Sequence, residues 1–390
     1  MPFNQIINRR NTGSVKWDFA AKHLGEDAEE MLPMWVSDMD FAAPPQVINA
    51  LVQRCQHGVF GYSDRDQTYF DAMLNWYATR HHLHLKQEWI CTTEGVVPGL
   101  SLLVQMLSDE QDGVVVQGPF YGSFEKIISL NHRQLLNNPL IKTGESEYLM
   151  DFEHLESLFK QHRPPLMILC NPHNPTGRCW RKAELCQLLT LCEAYNVILL
   201  SDEIWADLVL PGHQFTSVLH LGARWHSRVI SATSASKTFG LSSLRLSNFV
   251  IPDAQIRDRF AARLNAHGLD VFNALALCAS TAAWQSGADW LNQLLICIAA
   301  NRAWFAEQVA EHLPWARVMP AEATYLLWID CNGAGLDDQQ LRAVMMHTAG
   351  IAPSMGYQFG PQGKGFIRLN LGCPRDYLRL ALEGLKKIRL

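Results

Sequence analysis

Short, nearly continuous apolar runs occur at residues 89–92, 113–116, 166–170, 197–200, 229–232 and 246–251, with longer stretches of mixed polarity between most of them. A run without alternation suits a strand buried on both faces, so these segments are expected to be parallel strands. Strands separated by helix-length segments predict an α/β fold with a mostly parallel central sheet. Beyond this region the pattern changes: residues 289–313 read as one long helix, followed by a strand at 324–329, a helix near 336–347, a strand at 365–371 and a terminal helix. This second part predicts a smaller α+β domain. Residues 1–45 carry no strong period and are expected to pack on that domain. The expected organisation is an N-terminal segment 1–48, a large domain 49–287 and a small C-terminal domain 288–390. The absence of repeats or a long linker favours interwoven domains over separate beads.

Composition adds mainly exclusions. At 48% hydrophobic and 18% charged residues the chain has the makeup of a packed globule with little disorder. A net charge of −5 offers no general basic surface, so a primary nucleic-acid binder is not expected. The opening MPFNQIINRRNTGS does not read as a secretory signal, and the expected location is the cytoplasm. The apolar stretch 294–300 is far shorter than the roughly 20 residues of a spanning helix, so no membrane span is expected. Ten cysteines without a CxxC pair read as free thiols, and Arg80, His81, His82 and His84 read as a solvated helix end, so no metal site is expected.

In an open parallel sheet, ligands bind beyond the carboxyl ends of the strands, which directs attention to the polar residues after each run. The first run is followed by Glu94, Gly95, Val96 and Val97 at the start of an apparent helix, where free N–H groups suit a phosphate. After 166–170 comes the rigid polar turn NPHNPTG, able to aim the Asn174 amide at a ligand. Ser201, Asp202 and Glu203 follow 197–200, placing costly carboxylates at the sheet mouth. After 229–232 come Ser234 and Lys237, with Arg245 eight residues beyond the lysine.

Together these residues meet the needs of pyridoxal 5′-phosphate: a lysine amine for the imine, a carboxylate for the ring nitrogen, and donors for the phosphate and phenolate oxygens. Lys237, Asp202, Ser234 with Arg245, and Asn174 can fill those places. The string SASK at 234–237 also matches the SxxK nucleophile of penicillin-interacting enzymes, but their SDN and KTG partners do not occur.

The strings NPHNPTG at 171–177, SDEI at 201–204, SASKTFGL at 234–241 and FIRLNLG at 366–372 resemble the class I/II aminotransferase family of fold type I. More narrowly, MLPMWVSDMDFAAPP at 31–45, HGVFGYS at 57–63 and GFIRLNLGCPR at 365–375 look like the branch of cystathionine β-lyases and related carbon–sulfur lyases. The resemblance implies Lys237 as the Schiff-base lysine, Asp202 at the pyridine nitrogen and Asn174 at the phenolate oxygen. It further implies Gly95, Val96, Val97 and Ser234 around the phosphate, Tyr121 stacked on the ring, and Arg368 on the substrate carboxylate. Tyr62 would reach the phosphate from the neighbouring subunit, so a homodimer with shared sites is implied. Arg368 also interrupts an apolar strand, where a fixed cationic fork suits a carboxylate. Trp35 is a candidate wall of the substrate pocket.

Two departures stand out. Trp205 occupies a position where the family usually has Tyr or His, and indole offers only an N–H donor. Arg245 matches many transaminases, whereas members of the lyase branch often lack it. The expected activity is β-elimination from a small S-substituted cysteine such as cystathionine. Transamination to a 2-oxo acid is the alternative, sharing every step through α-proton removal. A cofactor-bearing regulatory protein is a third reading, unsupported by any added DNA-binding segment or basic tail.

Overall fold

The computed structural model describes residues 3–143 and 147–390. Its centre is a seven-stranded sheet of β1 (Ile90–Thr93), β2 (Gly113–Val116), β3 (Gln134–Asn137), β4 (Leu166–Cys170), β5 (Ile198–Asp202), β6 (Val229–Thr233) and β7 (Ser247–Val250), in the order β1-β7-β6-β5-β4-β2-β3. The predicted runs all form strands, and the sheet is mostly parallel. The run at 246–251 is corrected in direction: β7 lies antiparallel to both β1 and β6. Edge strand β3 had no counterpart among the apolar runs, because Gln134 is exposed and Leu136 alone is buried. Apart from β3 the strands are buried on both faces almost throughout, which removes a Val, Leu or Ile side chain from water for about 1.5–3 kcal/mol each.

Helices cover both faces. Of those that matter to the site, α1 (Pro45–His57) precedes the sheet, α2 (Val96–Leu107) follows β1, α3 (Gly122–Ser129) follows β2, and the short α4 (Ala235–Phe239) follows β6. Gly99 brings α2 against β7: a Cβ there would lie 2.1 Å from the Phe249 ring. Connections from β2 and β4, adjacent in the sheet, run in opposite directions, which opens a crevice at their carboxyl ends.

The predicted long helix is α5 (Ala288–His312), with Leu291, Leu294, Leu295, Ile298, Phe305 and Val309 buried at helical spacing. A second, antiparallel sheet follows, of β8 (Arg317–Val318), β9 (Leu326–Asp330), β10 (Ser354–Met355) and β11 (Phe366–Asn370), ordered β8-β9-β11-β10. Its apolar core is shared with α5 and the terminal helix α6 (Arg375–Leu385). The N-terminal segment touches both bodies. Leu32 and Pro33 pair in parallel with Ile351 and Ala352, while the Phe3 ring packs edge-on to Phe41 and Trp290 in the larger core. Among the described residues, no helix is long and apolar enough to cross a membrane.

Candidate active site

Five strand ends converge on one crevice, and α4 carries the lysine into it. Ser234 caps this helix by accepting from Ser236 N at 3.0 Å and is itself fixed by donating to Leu246 O at 2.6 Å. Thr238 donates to Asp207 Oδ2 at 2.9 Å, and the same buried carboxylate receives Trp76 Nε1 at 3.0 Å and meets His81 Nε2 at 2.7 Å. His81, read from sequence as part of a solvated helix end, is therefore folded inward as an anchor of the lysine helix. Among the described residues, no group of three or more His, Cys, Asp or Glu is placed to hold a metal ion.

Lys237 Nζ donates to the Ser37 carbonyl at 2.6 Å and lies 5.8 Å from the centre of the Trp205 ring. Burial lowers its pKa to about 8; Asp38 and Asp202 pull upward while Arg368 pushes down. Asp202, at the end of β5, is 5% exposed and accepts one backbone N–H, from Ile204 at 3.2 Å. Burial raises its carboxyl to about 7, against the opposing pull of the Ile204 N–H and Lys237.

The adjacent carboxylate is spent differently. Glu203 accepts from Ser201, Ser217 and Ser231 hydroxyls and from Val218 N, at 2.7–3.0 Å, which satisfies it inside the fold. Successive residues of a strand face opposite sides, so only Asp202 is left for the crevice.

At the other end, Gly95 adopts φ 131°, a conformation that favours glycine, and turns the chain into α2. The first N–H groups of that helix, on Val96 and Val97, have no intrahelical acceptor. Arg245 sits at the exposed rim, its Nε 3.4 Å from Glu94 O. Tyr121 heads α3 and packs edge-on to Phe124. Gly95, Val96, Val97, Tyr121, Asn174, Asp202, Ser234, Lys237 and Arg245 all line one cavity of ≈220 Å³, together with Ser37, Cys170 and Trp205. A larger cavity of ≈610 Å³, beside Phe3, Cys297 and Arg375, contains no lysine.

Arg368 stands one hydrogen bond away from this cavity. Its Nη1 donates to Asn174 Oδ1 at 3.0 Å, and Nη2 to Trp35 O at 2.8 Å and Ser354 Oγ at 3.1 Å. Its Nε is buried without a hydrogen-bond partner among the described residues, and Phe359 covers the guanidinium face at 4.8 Å. Burial lowers its pKa to about 10. Among the described residues, no carboxylate forms an ion pair with it, although a buried cation is costly without one.

Besides Arg368, two predicted residues lie outside the cavity lining. Trp35 meets Arg368 through its main-chain carbonyl, while its indole donates to Lys16 O at 3.3 Å. Tyr62 is 96% exposed on the stretch after α1. Sequence reasoning passed over Ser37, Tyr325, Ser354 and Asn370, although Asn370 lies two positions from Arg368 on the same face of a strand.

This arrangement meets its counterpart among known proteins. Residues 29–385 match the model of the family described as aminotransferase class I and II. The chain belongs to that family. It is 38% identical over 389 residues to "Cystathionine beta-lyase PatB" of Bacillus subtilis (strain 168), covering 100% of this chain and 99% of the relative. It is 34% identical to "Protein MalY" of Escherichia coli (strain K12), over 98% and 97% of the two chains. Cystalysin from Treponema denticola, whose crystal structure contains pyridoxal 5′-phosphate, superposes with a TM-score of 0.95 at 31% identity, over 99% and 98% of the chains. The PLP-bound C–S lyase from Staphylococcus hominis, complexed with the inhibitor L-cycloserine, superposes with a TM-score of 0.93 at 29% identity, over 99% and 97%.

Proposed function

We propose that this protein is a pyridoxal-phosphate-dependent carbon–sulfur β-lyase that cleaves S-substituted cysteines such as cystathionine to pyruvate, ammonia and a thiol, working as a cytoplasmic homodimer. One observation carries the chemistry: an amine with lowered basicity and a buried carboxyl with a single N–H donor line the same small space, and a buried arginine that no carboxylate pairs among the described residues stands one hydrogen bond away, on Asn174.

The donor set fits the cofactor. Asp202 has capacity for a cationic ring nitrogen, and the free N–H groups of Val96 and Val97, with Arg245 and with Ser234 once its hydroxyl turns from Leu246 O, suit the phosphate. Asn174 is assigned to the phenolate oxygen, Tyr121 to the ring face and Lys237 to covalent attachment. When bound, pyridoxal phosphate supplies an electron-withdrawing ring that makes the substrate α-proton acidic. Lys237 would hold the cofactor and, as a free amine, would take that proton as general base. Arg368 holds the substrate carboxylate and thereby fixes which Cα–H faces the lysine. The thiolate then departs from Cβ. Amino transfer needs the same residues up to proton removal, so the outcome turns on the leaving group at Cβ.

A second copy of the chain is supported by an exposed apolar stretch: Val59, Phe60 and Tyr62 are 63%, 59% and 96% exposed, with Ile48 and Val52 of α1 half-exposed nearby in sequence. Tyr62 is assigned to the partner's phosphate pocket.

Thiol release from S-alkyl cysteines, compared with alanine, tests the reading: the cysteines should release thiol and pyruvate in equal amounts and alanine neither. Arg368→Ala should lower kcat/KM for cystathionine roughly ten- to a hundredfold, the worth of a charge-assisted contact. The loss should fall mainly on substrates that carry a carboxylate. Equal losses on carboxylate-free amine analogues would place Arg368 in the scaffold instead.

A further inference from the structure

The segment Trp35–Asp38 presents its main chain, not its side chains, to the site. Trp35 O accepts from Arg368 and from Ser354 Oγ, each at 2.8 Å. Asn370 Nδ2 spans the next carbonyls, reaching Val36 O at 2.7 Å and Asp38 O at 2.5 Å. Between these clamps, Ser37 O accepts both Lys237 Nζ at 2.6 Å and Tyr325 Oη at 3.0 Å. The segment is held from behind as well, because Arg9 donates to Asp38 Oδ2 and Asp40 Oδ1, both at 2.8 Å, and Lys16 pairs with Asp40 at 2.5 Å.

We propose that the Ser37 carbonyl is the fixed seat of the Lys237 amine whenever it is not covalently engaged, and that Tyr325 and Asn370 are positioning residues that set how readily this amine takes a proton. The catalytic part rests on Lys237 being the base of the lyase reading; the seat itself is read from the chain alone. A carbonyl oxygen has two acceptor sites, and here a phenol occupies one of them. An ammonium gains more from an acceptor than a neutral amine does, so a donor that draws on the same oxygen favours the neutral amine. Burial keeps the Tyr325 hydroxyl protonated, so it remains a donor. Asn370 acts in the opposite direction by holding the carbonyl where the ammonium can reach it. The charged groups facing the amine from the surrounding elements are Asp38, Asp202 and Arg368, with the Trp205 ring on one side.

The test is competitive acylation of the full, cofactor-free chain with acetic anhydride across pH, with Lys237 modification read by peptide mass spectrometry. The wild-type midpoint should lie near 8. Tyr325→Phe, which keeps the ring and its edge contact with Trp205, should raise the midpoint by roughly 0.5–1 pH unit, the worth of one shared neutral hydrogen bond. Asn370→Ala should lower it. In the cofactor-loaded enzyme the acidic limb of kcat, which reports the substrate-bound state where the Lys237 amine is free, should move in the same direction as each midpoint. Acylation does not depend on turnover, so a chain inert towards cystathionine would defeat the lyase reading and leave this result standing. An unchanged or lowered midpoint in Tyr325→Phe would overturn the proposal.

Discussion

Lys237→Ala should lower turnover on cystathionine by at least about a thousandfold, because general-base catalysis alone is worth about 10²–10⁴ and covalent attachment is lost with it. The fold should survive, since α4 is held by the Ser234 cap and by the Thr238–Asp207 hydrogen bond. Borohydride reduction followed by peptide mapping is the direct check. In the wild type the pyridoxyl group should be found on the peptide containing Lys237, and in the variant on none. An adduct on another lysine would remove the basis for every role assigned around this cavity.

Asp202→Asn should leave a folded protein that still takes up the cofactor but turns over roughly a hundred- to a thousandfold more slowly, the usual cost of losing a preorganised charge at a reacting centre. The sign follows from the surroundings. Burial raises the Asp202 carboxyl to about 7. A cationic ring nitrogen placed against it favours the ionised form and draws that value back down, so cofactor and carboxylate stabilise each other's charged state. An amide cannot return this effect. Stopped-flow measurement of α-proton removal locates the defect, and a rate close to wild type would mean that another group holds the ring nitrogen.

The parts that could be read in advance share a physical cause. Strands β2 and β4 are legible because burial on both faces leaves no room for polar positions, so the apolar run and the element coincide. The same run over β7 says nothing about direction, since an apolar strand in the middle of a sheet looks alike either way, and its antiparallel course emerges only from pairing. Lys237, Asp202 and Arg368 are legible because a charge inside an apolar context is expensive and calls for a reason. Glu203 shows the limit of that signal: it shares the context, yet four hydrogen bonds within the fold account for it.

The contribution of residues 35–38 leaves little trace in side-chain chemistry, because every residue carries a carbonyl and nothing in WVSD marks which ones face the site. The partners of those carbonyls did leave a trace. Asn370 and Arg368 are polar residues two apart in an otherwise apolar strand, which places both on one face. Trp205, flagged as a departure, proves to be 2% exposed, and it packs edge-on to Tyr325 while its ring lies beside the lysine amine.

The most direct test of the account is a continuous assay of purified, cofactor-loaded protein with L-cystathionine as the only substrate. Pyruvate, ammonia and homocysteine should accumulate in equal amounts, over many turnovers, with no 2-oxo acid added. Failure to cleave cystathionine or other cysteine thioethers, together with amino transfer once an amino acid and a 2-oxo acid are supplied, would contradict it.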